Sequence, residues 1–104
     1  MRRGDIYLCP FPHPDKARAV VVLTRRSSLD FLNTVSAAPV TSTVRSVASE
    51  VFLDEVDGMK GPCAVNLHQI LTVPKDRLGK RIGALSSERK QELCAALRFA
   101  LGCD

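Results

Sequence analysis

Lys16-Ala17-Arg18 stands where a polar, proline-rich loop meets the apolar run Ala19-Val20-Val21-Val22-Leu23. A basic side chain at such a junction has its base held by a buried strand and its head in solvent, a place where a small domain can hold a phosphate. Arg18 is the sharpest candidate, because a guanidinium stays charged at any working pH and grips two phosphate oxygens at once. A second cluster, Thr41-Ser42-Thr43, ends the run Val35-Ser36-Ala37-Ala38-Pro39-Val40. Hydroxyls at a strand end are short, well-aimed hydrogen-bond donors to phosphate oxygens, although the same cluster also reads as a turn. His13, in the Pro10–Pro14 loop, is a candidate substrate contact a few residues from Arg18. His68 reads as a structural or surface side chain.

Other chemistries lack their residues. There is no G-x-S-x-G, no phosphate-cradling glycine loop and no H-E-x-x-H. Cys9, Cys63, Cys94 and Cys103 are scattered, with no C-x-x-C pair and no Cys/His cluster, so neither a zinc site nor any other metal or cofactor is expected. Four reduced thiols fit a cytosolic protein, with Cys103 near the chain end the most reactive.

The elements that must position Arg18 and Thr41 are short and rich in β-formers. Strands are predicted near Ile6–Cys9, Ala19–Thr24, Thr34–Val40, Glu50–Leu53, Cys63–Val65, Ile70–Val73 and Arg81–Leu85, where Val, Ile, Leu, Phe and Thr dominate. Turn residues separate them at Pro10–Asp15, Ser27–Asn33, Asp57–Pro62 and Pro74–Gly79. Pro39 implies that its strand lies at an edge or bends there. The period then changes. Ser86 is a natural N-cap, Glu88 faces the positive end of a helix dipole, and Leu93, Leu97 and Ala100 or Leu101 follow at helical spacing. Gly102 supplies the stop. The pattern predicts a small β-sandwich or barrel closed at one end by a C-terminal helix.

At 104 residues the chain is long enough for one domain and too short for two. No apolar run approaches the roughly 18 to 20 residues needed to cross a bilayer, and the N-terminus has no signal-peptide apolar region; a cytoplasmic protein with no membrane partner is expected. The net charge of +4 is uneven. Residues 1–49 carry seven basic and three acidic side chains, whereas residues 50–104 carry eight of each. An asymmetric basic surface favours a polyanion or an acidic protein segment, and it is equally compatible with a surface that only keeps the protein soluble.

Six segments, in order, resemble the MazF/PemK family of toxin endoribonucleases. Arg3-Gly4-Asp5-Ile6-Tyr7 resembles the family's R-G-D opening, and Lys16-Ala17-Arg18-Ala19-Val20-Val21-Val22-Leu23 resembles its K-x-R-P-x-x-V-L strand. Ala38-Pro39-Val40-Thr41, Glu50-Val51-Phe52-Leu53, the Cys63–Ile70 run with Gln69-Ile70 at its end, and Leu85–Arg89 before a helix follow in register. Ala19 stands where the family usually has proline, so Arg18 is less restricted to extended geometry than a pre-proline residue would be.

The resemblance implies a mainly β fold with a C-terminal helix, a small SH3-like partly open barrel shared with CcdB. It implies a homodimer whose RNA groove runs across the interface, and a catalytic pair that falls on Arg18 and Thr41. Thr43, two residues on, could face the same side of an extended strand. RNA contacts are expected from His13, Lys16, Arg25, Ser42, Thr43 and Gln69. Metal-free cutting of single-stranded RNA would use the substrate's own 2′-OH, leaving a cyclic phosphate and a free 5′-OH. The resemblance also implies a part for Arg18 in proton transfer, for which an ordinary arginine, with a pKa above about 12, is a poor base. The implied partner is an antitoxin with an acidic C-terminal segment. Two alternatives share the fold: a CcdB-like poison of DNA gyrase, whose working surface carries a Trp near the chain's end, and a catalytically inactive nucleic-acid-binding relative. This chain has no Trp and ends Ala100-Leu101-Gly102-Cys103-Asp104.

Overall fold

The computed structural model of the chain describes residues 1–11 and 16–103. Its strands are β1 (Asp5–Cys9), β2 (Arg18–Val22), β3 (Thr34–Thr41), β4 (Glu50–Leu53), β5 (Cys63–Asn66), β6 (Leu71–Pro74) and β7 (Arg81–Ala84). A one-turn helix α1 (Arg26–Leu29) follows β2, and the helix α2 (Ser87–Leu101) ends the chain. The strands pair antiparallel in the order β4-β5-β3-β2-β1-β7, with β6 beside the first half of β3. The sheet forms a half-barrel and α2 lies against β4. This is the mainly β fold with a terminal helix that the sequence implies.

Period-two alternation divides the apolar side chains between two cores. Val20, Val21 and Val22 are all fully buried, as a strand covered on both faces requires. Val21 and Leu23 join Ile6, Val51, Leu53, Val65 and Leu67 in the core that α2 closes with Leu93 and Ala96. Val20 and Val22 join Cys9, Val35, Ala37 and Val73 in the other core, which Leu29 of α1 helps to cover. The sequence reads residues 27–33 as a turn; residues 26–29 instead close one helical turn. Such a turn is unstable alone, and burial of Leu29 holds it in place.

Pro39 sits in the middle of the sheet rather than at an edge. The first half of β3, Thr34 to Ala37, pairs with β6, and its end, Val40 and Thr41, pairs with β5. Pro39 falls where the strand changes partners, so its missing N–H costs no ladder bond on that side.

Helix α2 has the predicted ends. The Ser86 hydroxyl accepts from the Arg89 N–H at 3.2 Å, and Gly102 adopts the left-handed conformation, φ 69°. The helix is also tied to the β4–β5 connection. Asp57 accepts from the Asp54 N–H at 3.0 Å and from Arg89 Nε at 3.1 Å. The hydrogen bond that Arg89 donates to Asp57 raises the Arg89 pKa, with Glu92 adding to it. Leu97 and Ala100 complete the core contact, while Leu101 is exposed. No described helix is long and apolar enough to cross a membrane.

Candidate nucleic-acid interface

The β2–β3 register decides which side chains meet. Val20 pairs with Pro39, Val21 with Ala38 and Val22 with Ala37. Continued by two residues, that register sets Arg18, the first residue of β2, opposite Thr41, the last of β3. Both line one open groove of about 390 Å³ together with Ser42 and Thr43. Ala19, Val40 and Cys63 on its wall also contact the core that α2 closes. Ladder pairing of Cys9 with Arg18 keeps Arg18 extended, so the geometry that a following proline would impose comes from the sheet instead.

Arg18 also lines a second concavity, with Phe11, Pro39, Gln69 and Leu71. Its guanidinium carbon lies 6.0 Å from the centre of the Phe11 ring, within cation–π range. The guanidinium thus stands on the crest between a hydroxyl-rich groove and a partly apolar one.

Thr41 and Thr43 are not equivalent. The Thr41 hydroxyl oxygen accepts from the Thr43 N–H at 3.1 Å. That bond fixes the hydroxyl and directs its own proton elsewhere. Thr43 lies beyond the strand and is exposed; it reaches the groove because the chain turns, not by strand alternation.

The other expected contacts divide. Ser42, Thr43 and Gln69 lie on the two grooves with Arg18. Lys16 is exposed close by but lines neither. Arg25 lies on a separate groove beside Arg3, Leu32, Leu97 and Leu101. His13 lies outside the described residues. His68 is exposed in the turn after β5, where its N–H donates to Asn66 Oδ1 at 2.9 Å. Sequence reasoning misses Phe11 and Cys63 as groove residues. Phe11 is legible in principle, because a hairpin of the first two strands brings the two sides of the loop together.

Burial is the main cause raising the Cys63 pKa, with Asp57 and Asp54 adding to it, so the thiol on the groove wall stays protonated at neutral pH. Among the described residues no group of three or more His, Cys, Asp or Glu side chains is placed to hold a metal ion.

Residues 2–101 match the model of the PemK-like, MazF-like toxins of type II toxin–antitoxin systems. The chain belongs to that family. It is 39% identical over 90 residues to endoribonuclease MazF3 of Mycobacterium tuberculosis, covering 86% of this chain and 87% of that protein. Its structure resembles the M. tuberculosis toxin MazF-mt6 with a TM-score of 0.87 at 36% identity, over 96% and 98% of the two chains. It also resembles a mycobacterial endoribonuclease solved in complex with its cognate antitoxin, with a TM-score of 0.88 at 26% identity, over 100% and 97%. Within this MazF-like toxin, Arg18 and Thr41 share one groove.

Proposed function

We propose that this MazF-like toxin, an endoribonuclease by its family and curated relatives, cuts single-stranded RNA by attack of the substrate's own 2′-OH. The 2′ oxygen bonds to phosphorus, the bond to O5′ breaks, the 2′-OH loses its proton and O5′ gains one. The products are a 2′,3′-cyclic phosphate and a free 5′-OH. No metal-bound water is needed, because the nucleophile belongs to the substrate.

The observation that carries this reading is the shared groove of Arg18 and Thr41. Arg18 supplies two parallel donors to the non-bridging oxygens as charge builds on them, an interaction stronger in the transition state than in the ground state. Thr41, oriented by the Thr43 N–H, gives its proton to a phosphoryl oxygen and holds the phosphate in line. Ser42 and Thr43 add hydroxyl contacts. On the other side of the crest, Phe11 offers a ring and Gln69 an amide to the neighbouring nucleoside. Lys16 and His13 act from the adjoining loop.

The protein acts as a homodimer, supported by the apolar groove beside α2 with Leu101 exposed and Arg25 on its lining. An acidic, extended antitoxin segment covers the basic groove and switches the toxin off. Both partners act in the cytoplasm.

The test is incubation of the purified protein with a mixed single-stranded RNA pool in excess EDTA, followed by mapping of fragment ends. Cleavage persists, with cyclic phosphate on one side and 5′-OH on the other. Abolition by chelation, with rescue by magnesium or zinc, contradicts the mechanism. RNA left intact under all conditions contradicts the function.

A further inference from the structure

The Arg3-Gly4-Asp5 opening contributes nothing to the Arg18–Thr41 groove, yet it is built tightly. Gly4 is left-handed, with φ 93°, and a Cβ there would lie 3.0 Å from Lys90 Cε and 3.2 Å from Lys90 Cγ. The stem of Lys90 therefore lies against the Gly4 backbone, and Lys90 lines a pocket together with Arg2, Asp5, Tyr7 and Arg81. Asp5 is 7% exposed and both its oxygens are used. Oδ2 accepts from the Arg2 N–H at 3.0 Å, and Oδ1 pairs with Arg81 Nη2 at 3.5 Å. The buried carboxylate thus pairs with one cationic side chain, Arg81, and holds the Arg2 backbone, while the Arg2 and Lys90 side chains line the same pocket, so cations outnumber the one acid in its lining.

This pocket lies along the sheet from the cleavage groove. Tyr7 pairs with Arg81 across β1–β7, and Cys9, two residues along β1, pairs with Arg18. Arg18 and Arg81 are therefore two strand intervals and two residues apart, on the order of 12 Å between backbones.

We infer that the β1–β7 edge, through Arg81, Lys90 and Arg2 lining one pocket with Asp5, holds a phosphodiester of the substrate RNA outside the cleavage groove. This inference rests on the RNA-cleaving reading above and extends it to the substrate's flank. A single-stranded backbone carries charge at every nucleotide, so cations at this spacing track it without reading its bases. The flank would add affinity and register while sequence choice stays at the groove.

The test uses 2′-O-methyl oligonucleotides, which keep every phosphate but lack the attacking hydroxyl. One is short enough to fill only the groove; the other carries several more nucleotides at each end. Wild-type protein binds the longer one more tightly and with a steeper salt dependence. In the Arg81→Gln, Lys90→Gln double variant the ratio of long to short affinity collapses towards one, and the logarithmic salt slope for the longer strand falls by about 0.7 for each phosphate that is no longer neutralised. Arg81→Lys, which keeps the charge, retains the wild-type slope. A thermal melt shows whether loss of the Asp5 pair unfolds the variant; Lys90→Gln alone, which leaves that pair intact, then carries the comparison. An unchanged affinity ratio overturns the inference, as does equal weakening of both oligonucleotides. Loss confined to an acidic peptide overturns it in favour of a protein partner. If the wild type binds RNA but cuts none, the cleavage reading fails while the affinity ratio still decides this one.

Discussion

Arg18 and Arg89 are both arginines anchored by neighbouring elements, and their surroundings give them opposite roles. Arg89 sits in the first turn of α2, where a cation opposes the helix dipole. It is held there by Asp57 and Glu92 at 3.1 Å each, with its side chain 23% exposed. Its charge is answered within the fold, and its work is to fasten the helix to the β4–β5 connection. Arg18 leaves the start of β2 for two grooves whose described linings hold hydroxyls, an amide and an aromatic ring. The same functional group fastens a helix where its side chain lies between elements of the fold, and is suited to an external anion where it lines open grooves.

The largest effect expected from breaking this comparison is at Arg18. Arg18→Ala lowers the cleavage rate by about 10² to 10³, the usual worth of one preorganised donor to developing charge, while the melting temperature stays near wild type because the side chain is exposed. Arg18→Lys restores little, since a point charge does not reproduce a two-pronged grip. Loss of fold in Arg18→Ala would make the residue structural and erase the contrast.

Next comes Asp57→Ala, the mirror experiment. It strands Arg89 and the Asp54 N–H, and denaturant unfolding should show a loss of about 1 to 3 kcal/mol. The cleavage rate per folded molecule stays unchanged. A selective loss of cleavage at full stability would place Asp57 in the catalytic apparatus instead.

Smaller again are the threonines. Thr41→Ala slows cleavage by roughly tenfold, the worth of one neutral hydrogen bond, and Thr43→Ala slows it less because its backbone N–H still orients Thr41. Rate measurements that reverse this order would move the phosphate contact from Thr41 to Thr43.

How much of this is legible in the sequence varies by residue, for physical reasons. Glu50–Leu53, the Ser86 cap and the Gly102 stop follow from local chemistry, and the structure has each of them. The strand carrying Arg18 is legible from its unbroken valines. Helix α1 is not, because only the tertiary burial of Leu29 stabilises it. Nor is the setting of Pro39, which depends on β3 exchanging β6 for β5. The resemblance implies an RNA contact at Arg25, yet β2 ends at Val22 and Arg25 lies on a separate groove with Leu97 and Leu101 of α2. The second half of the chain, neutral in sum, places Arg81 and Lys90 in one pocket with Arg2 only through the fold.

The central claim is that the substrate supplies the nucleophile and Arg18 with Thr41 stabilises the phosphate it attacks. The most direct measurement replaces a single ribose, the one 5′ to a mapped cut, with deoxyribose and compares cleavage and binding with the all-RNA strand. The account predicts that cleavage stops while affinity is nearly unchanged. Cleavage of the deoxy-substituted strand at the all-RNA rate would show that water or a side chain is the nucleophile, and would contradict it.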